Sequence, residues 1–271
     1  MCSPACATST PTSTCSASPA ATARCTTPST RWRARGATAS WPRLALLPAG
    51  SANDGARAIE ALRGRPLLRA PDAWLADVRR ALATGDPGTP ADLGRVAIEG
   101  APPVLFANFA AVGSPADWAE LSAARWLRPL KRLSVGLAYA LCNLLVITRA
   151  RRLPLAAGLD GTAATPSEVF AWFAANARWL GGGLDLGPDV ALDSGRLAIL
   201  TVPPAPRLAL IRLLRAVARG AGPTPVPART AVLRLAAGTC LNLDGELLAA
   251  PATAGTFAAT FDVLPQRARW L

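Results

Sequence analysis

The chain has 271 residues, 51% hydrophobic and 17% charged, a mixture that builds a sizeable packed core and excludes a disordered polymer. Its formal charge of +12 is loaded toward the start, where Arg24, Arg31, Arg33, Arg35 and Arg43 all precede the first acid, Asp54. It contains no histidine, which excludes Ser-His-Asp and Cys-His catalysis and imidazole-bound metal, and leaves carboxylates, hydroxyls and backbone amides for any chemistry.

Residues 1–40 are rich in Ser, Thr, Ala, Pro, Cys and Arg and show no periodicity, the composition of a disordered tail. They lack the basic start and apolar centre of a signal peptide. Cys2, Cys6, Cys15 and Cys25 lie there at no zinc-ligand spacing, while Cys142 and Cys240 sit among apolar neighbours and read as small core residues. That usage suits a reducing, cytoplasmic setting. The arginine excess, with Lys131 the single lysine, reads partly as GC-rich codon usage and is compatible with anionic partners.

Residues 44–47 form a short uncharged run of strand length that breaks at Pro48 and Gly50 and restarts as a helical pattern through Ile59 and Leu62. A strand, glycine turn and helix in this order present unpaired N–H groups and the positive end of a helix, a place suited to phosphate. Ser51 offers a hydroxyl, Asn53 an amide and Asp54 a carboxylate. The plainer alternative is that Ser51 or Asn53 caps the helix.

Residues 71–83 place Trp74, Leu75, Val78 and Leu82 on one helical face. Residues 92–98 read as a strand, and residues 104–112 as one buried strand ending at Gly113. Residues 118–132 are basic and carry Trp118 and Trp126, and residues 133–148 form an apolar helix followed by Arg149, Arg151 and Arg152. That helix is either at an anionic membrane surface or in a core with solvated ends, and it is too short for a membrane span. Residues 169–175 and 197–202 are strands, and residues 206–218 repeat apolar positions at helical spacing before Gly220. Residues 230–236, 239–243, 246–249 and 256–264 are further strands, with Leu243-Asp244-Gly245-Glu246 as a hairpin turn. The architecture expected is an α/β beginning followed by a β-rich domain.

Taken together, these segments resemble the bacterial diacylglycerol kinase family, lipid kinases related to sphingosine and ceramide kinases. Leu46-Leu47-Pro48-Ala49-Gly50-Ser51-Ala52-Asn53-Asp54 is similar to the family's LPAGTxND loop. Asp92-Leu93-Gly94-Arg95-Val96 with Phe106-Ala107-Asn108 and Gly113 is similar to its DLGRV segment. Lys131-Arg132-Leu133 with Gly136 and Tyr139-Ala140, then Asn176 with Gly181 to Gly183, Pro188, Asp193 and Gly195, follow in family order. Asp244-Gly245-Glu246 and Val263-Leu264-Pro265 resemble the closing DGE and VLP.

The resemblance implies a truncated, Rossmann-like α/β nucleotide-binding domain at residues 41–90, joined by residues 262–271, and a β-sandwich lipid-side domain at residues 91–261. It implies transfer of the γ-phosphoryl of ATP to a diacylglycerol-like hydroxyl with Mg2+, at the inner face of the membrane, with neither a membrane span nor a nucleic-acid partner. Gly50, Ser51, Asn53 and Asp54 would line the nucleotide and magnesium site. Glu246 would be the general base, with Asp244 beside it; an ordinary turn with an exposed acid is the alternative. Two other functions stay open: an NAD kinase-like enzyme, and a non-catalytic remnant that binds lipid or membrane. The β-rich section and the basic, tryptophan-bearing helix favour lipid over a soluble dinucleotide.

The chain departs from the family pattern in two places. Asp193-Ser194-Gly195 stands where two acids usually precede glycine, and no GGDGT loop comes before the LPAGS segment. A shifted frame would supply that loop: with codons such as CCG GCG GCG ACG GCA CGC TGC for Pro19-Ala20-Ala21-Thr22-Ala23-Arg24-Cys25, reading from the third base of the first spells Gly-Gly-Asp-Gly-Thr-Leu. Residues 1–40 are therefore expected to be out of frame. Sequencing the DNA upstream of Leu44 checks this, and third bases incompatible with the GGDGT reading would end it.

Overall fold

Alternating apolar residues and turn-forming glycines produce the strands of this chain, and helical apolar spacing produces its helices. A computed structural model describes residues 43–46, 48, 53–65, 70–149, 151–249 and 255–271. Gly50, Ser51 and the segment read as out of frame lie outside the described residues.

The first part contains β1 (Arg43–Leu44), α1 (Asp54–Leu62), α2 (Pro71–Thr84), β2 (Thr89–Ile98), β3 (Val104–Phe106) and β4 (Phe109–Gly113). A helical section follows, with α3 (Ser114–Ala123), α4 (Arg128–Leu133) and α5 (Val135–Arg149). Next come β5 (Leu153–Leu159), β6 (Thr165–Val169), β7 (Ala171–Ala175), β8 (Trp179–Leu180), β9 (Leu184–Asp185) and β10 (Leu197–Val202). The last part holds α6 (Arg207–Val217), β11 (Val226–Ala228), β12 (Thr230–Ala236), β13 (Cys240–Leu243), β14 (Glu246–Ala249) and β15 (Thr256–Trp270).

Two sheets carry the fold. The first runs β3-β2-β15-β12-β5-β6, with β1 parallel to the end of β15, and the second runs β11-β10-β7-β4-β13-β14. The period of two decides what each strand buries. Trp172 and Ala174 of β7 face the first sheet, while Ala171 and Ala175 face the helices behind. Trp172 meets Phe261 of β15 across the interface, ring centroids 5.1 Å apart. The inter-sheet core, including Val96, Phe106, Leu197, Leu233 and Leu241, makes this a β-sandwich. α3, α5 and α6 cover the outer face of the second sheet, and α1 and α2 cover the end of the first around Leu93, Ala268 and Trp270. The fold class is thus an α/β beginning joined to a β-sandwich.

Five sequence expectations need correction. The buried run at residues 104–112 is two strands, β3 in the first sheet and β4 in the second, and residues 165–175 likewise change sheets at Phe170. Leu82 is 55% exposed, and the buried face of α2 is Trp74, Val78 and Ala81. Cys142 is buried as expected, but Cys240 is only partly buried on β13. Strand β15 also continues past Pro265, because a bulge between Leu264 and Ala268 takes up the proline and a Gln266 φ of 51°.

Gly94 of β2 is required by close approach: a Cβ there would lie 2.1 Å from ring carbons of Phe106, itself 1% exposed. Gly94→Ala is expected to cost about 1–3 kcal/mol of stability through overpacking. The urea midpoint reads this, and an unchanged midpoint would show that the Phe106 ring has room to move.

Candidate functional site

Helix α1 begins at Asp54, directly after Asn53 in a left-handed conformation with φ 54°. The Asn53 side chain makes no capping hydrogen bond, so the simple cap reading does not account for it. Asp54 is 6% exposed, and its Oδ2 accepts the backbone N–H of Gly182 at 2.8 Å. Its Oδ1 is buried without a hydrogen-bond partner among the described residues. Burial pushes the Asp54 carboxyl above the usual carboxylate range, against the Gly182 amide and the nearby Arg57 guanidinium, which pull it down.

The partner segment of α1 is Gly181-Gly182-Gly183, with φ of 54°, 98° and 103°. Only glycine adopts such angles freely, and at Gly182 the space is tight as well. A Cβ on Gly182 would meet the Tyr139 ring of α5 at 3.2 Å, and one on Gly183 would lie 3.6 Å from the Arg57 guanidinium of α1. The glycine turn is thus held between α1 and α5. Arg178 secures its flank with two 2.6 Å hydrogen bonds to Asp185 and stacks over Trp179 at 4.8 Å. Tyr139 is held in turn by Trp118, edge-on at 4.9 Å, and by Lys131 over its ring at 5.4 Å.

The second acidic element is the β13–β14 hairpin. Leu243 pairs with Glu246, and Asp244 and Gly245 take φ of 52° and 94°, the two-residue turn expected of Asp-Gly. Asp244 sits at an exposed turn, yet its carboxylate is enclosed by the β3–β4 connection. Its oxygens accept N–H bonds from Ala107, Asn108 and Phe109 at 2.7, 2.8 and 2.9 Å. That enclosure pushes its pKa up, opposed by the three amides, and the Glu246 charge adds to the rise. Glu246 starts β14 half-buried.

Hydrogen bonds connect the two acidic elements. Asn108, which donates its backbone N–H to Asp244, donates its side-chain amide to the Trp179 carbonyl at 3.1 Å, next to the glycine turn that holds Asp54. Asn176 braces the same junction by donating to the Asp92 and Ala107 carbonyls. Asp92, 1% exposed, accepts from Gly195 and Gln266 at 2.7 and 2.9 Å. Its carboxylate therefore closes structure, tying the β15 bulge to the segment carrying Ser194. Arg57 had no place in the sequence reading, although its position three residues after Asp54 on one helical face is the signal that would have found it.

Behind these elements lies a cavity of about 170 Å³ between the second sheet and α3, α5 and α6. Its lining, including Phe170, Leu186, Leu200, Leu213 and Leu214, contains no charged side chain; the polar groups are Ser114, Asn143 and Asn242. It reaches Gly181 on one side and Phe109 and Asn242 on the other. Those residues adjoin the partners of Asp54 and Asp244, and Asn242 Oδ1 accepts the Gly245 N–H at 2.9 Å.

The fold is a two-sheet β-sandwich joined to an α/β element whose helix begins at an acid. Residues 119–268 match the family described as the YegS C-terminal NAD kinase beta sandwich-like domain, and the chain belongs to that family. No curated protein matches the chain by sequence. Among solved structures it is similar to two candidate diacylglycerol kinases from Bacillus anthracis str. Sterne, at 20% and 19% identity with TM-scores of 0.56 and 0.58. The matches cover 84% of this chain and 67% and 68% of those chains. A structure of a diacylglycerol kinase from the same organism matches at 16% identity and a TM-score of 0.50, over 84% of this chain and 66% of that one. The chain thus spans about two thirds of the length of these structures, and the likeness is one of fold.

Removing the Asp244 carboxylate leaves three backbone amides without their acceptor. Asp244→Ala is expected to lower stability by about 2–3 kcal/mol. Glu246→Gln should stay within about 0.5 kcal/mol of the parent. Chemical denaturation compares them, and equal stability of the two variants would show that the Asp244 clamp is replaceable by water.

Proposed function

We propose that this chain is a lipid kinase that transfers the γ-phosphoryl of ATP to the hydroxyl of a diacylglycerol-like lipid, working in the cytoplasm on the inner face of a membrane. The observation that carries this reading is the uncharged cavity whose wall reaches both the glycine turn beside Asp54 and the hairpin bearing Glu246. A pocket with so few polar groups in its lining accepts apolar guests, so it suits a hydrocarbon chain whose hydroxyl end would face the acids. A soluble dinucleotide would find no polar partner along most of that wall.

In this reading residues 41–90 with 262–271 make the nucleotide side, and residues 91–261 the lipid side. The start of α1, with Asn53, Gly50 and Ser51, meets phosphate through backbone amides and the helix dipole. The Arg57 guanidinium, whose Nε has no hydrogen-bond partner among the described residues, adds positive charge there. Magnesium brought with ATP would neutralise phosphate charge. The unpartnered Oδ1 of Asp54 fits one ligand position, and no cluster of three acidic or cysteine side chains among the described residues forms a cage, so phosphate oxygens would supply most of its ligands. Glu246 receives the proton of the attacking hydroxyl, and Asp244, its oxygens occupied by Ala107 to Phe109, positions the hairpin.

The test is transfer of label from ATP to a panel of diacylglycerol, a long-chain amino alcohol and NAD. Label is expected on the diacylglycerol-like acceptor, more of it when the GGDGT frame is restored, and Glu246→Gln should lower the rate about 10²- to 10⁴-fold. Label on NAD in place of lipid, or none on any acceptor from the frame-restored chain, would overturn the proposal.

A further inference from the structure

Exposed helix faces of water-soluble proteins are normally charged. The exposed stripe of α5 is Leu137, Ala140, Leu144 and Thr148, with no charge along it, and Leu137 and Leu144 are 54% and 49% exposed. α4 packs on α5, and α5 packs on α6. α4 contributes Leu133, 81% exposed, with Trp126 at 56% just before it, and α6 contributes Leu208 at 58%. These large apolar side chains stand beside exposed cations: Arg125, Arg128 and Arg132 around α4, and Arg207, Arg212 and Arg215 on α6. None of the six is in an ion pair among the described residues, and no acid lies anywhere between residues 121 and 159 or between 194 and 243.

We propose that the α4–α5–α6 surface docks on an anionic lipid bilayer, lying in the interface with its leucines and Trp126 among the acyl chains and its arginines on the headgroups. Amphipathic helices bind membranes by this combination of apolar face and flanking cations. Charge complementarity selects this occupant over a second copy of the chain, which would bring its own arginines against these arginines with no acid to answer them. The inner sides of α5 and α6 supply Val146, Ile147, Leu213 and Leu214 to the apolar cavity, so this part of the surface facing the bilayer is the outer wall of the proposed acceptor pocket. The inference rests on the lipid-kinase reading for its purpose alone, because the surface is defined without reference to the acids. No helix among the described residues is long and apolar enough to cross a membrane.

Co-sedimentation of the full chain with vesicles, without nucleotide, tests the docking. Affinity for an equal mixture of phosphatidylcholine and phosphatidylglycerol should exceed that for phosphatidylcholine alone by tenfold or more, on the order of fivefold for each arginine engaged, and should fall as salt rises. Leu137→Glu with Leu144→Glu should lose about tenfold or more on the mixed vesicles, with an unchanged circular dichroism melt. Arg128→Gln with Arg132→Gln should lose a comparable factor on mixed vesicles only, and it carries the test if the leucine variant melts early. Equal binding to neutral and mixed vesicles, or indifference to both variants, would overturn the proposal. So would a dimer in sedimentation equilibrium that Leu137→Glu dissociates, since that assigns the face to a second copy. Transfer to acceptor dispersed in detergent separates the two readings: failed docking leaves it intact, and a failed kinase reading leaves vesicle binding intact.

Discussion

The carboxylate of Asp244 gathers three consecutive backbone amides, and the course of the chain between the two sheets depends on it. Residues 104–113 are apolar enough to run as one strand, but an extended strand would spend the amides of Ala107 to Phe109 on a neighbouring strand. Asp244 takes them instead, and the chain leaves the first sheet after Phe106 and enters the second at Phe109. The same contact fixes the hairpin against β4, where Leu243 pairs with Ala110, and so sets where Glu246 projects. Three charge-assisted bonds oppose the desolvation of this carboxylate without cancelling it, and its pKa stays above the usual carboxylate range.

A second constraint joins the α/β element to the sandwich. The glycine turn between β8 and β9 packs against both Tyr139 and Arg57: a Cβ on Gly182 would press the Tyr139 ring at 3.2 Å, and the φ of 103° at Gly183 disfavours a side chain there. Its Gly182 amide closes on Asp54, so the start of α1 is placed by residues 128 positions away. The helix dipole favours an acid at that position. Burial without full hydrogen bonding disfavours its charge, and the tension leaves one carboxylate oxygen with no partner among the described residues. Such orphaned atoms are exceptions in folded proteins, where nearly all buried polar groups find a hydrogen-bond partner.

Tryptophans and arginines along the chain divide between these duties. Trp118 holds Tyr139, Trp172 fills the inter-sheet core, and Trp179 stacks under Arg178. Trp126 is left on the surface beside arginines that form no ion pair among the described residues, and that contrast in surroundings, not composition, sets it apart from the structural tryptophans. The net charge of +12, in part a matter of codon usage, gains meaning where the cations cluster on helices that lack acids.

Much of the sandwich was legible in the sequence because its signals are local. Residues 197–202, 230–236 and 246–249 are strands as read, since a period of two and bounding turn residues act within a few positions. The Asp-Gly hairpin followed from positive φ alone. Motif order pointed to Asp54 and Glu246 but could not say what bonds either would make. Only the tertiary structure decided that residues 104–112 break in two, that Leu82 faces water while Ala81 is buried, and that Arg57 joins the site. Each of these turns on a partner far along the chain, 137 residues away for the Ala107 amide and its Asp244 acceptor, and local periodicity carries no record of such a partner.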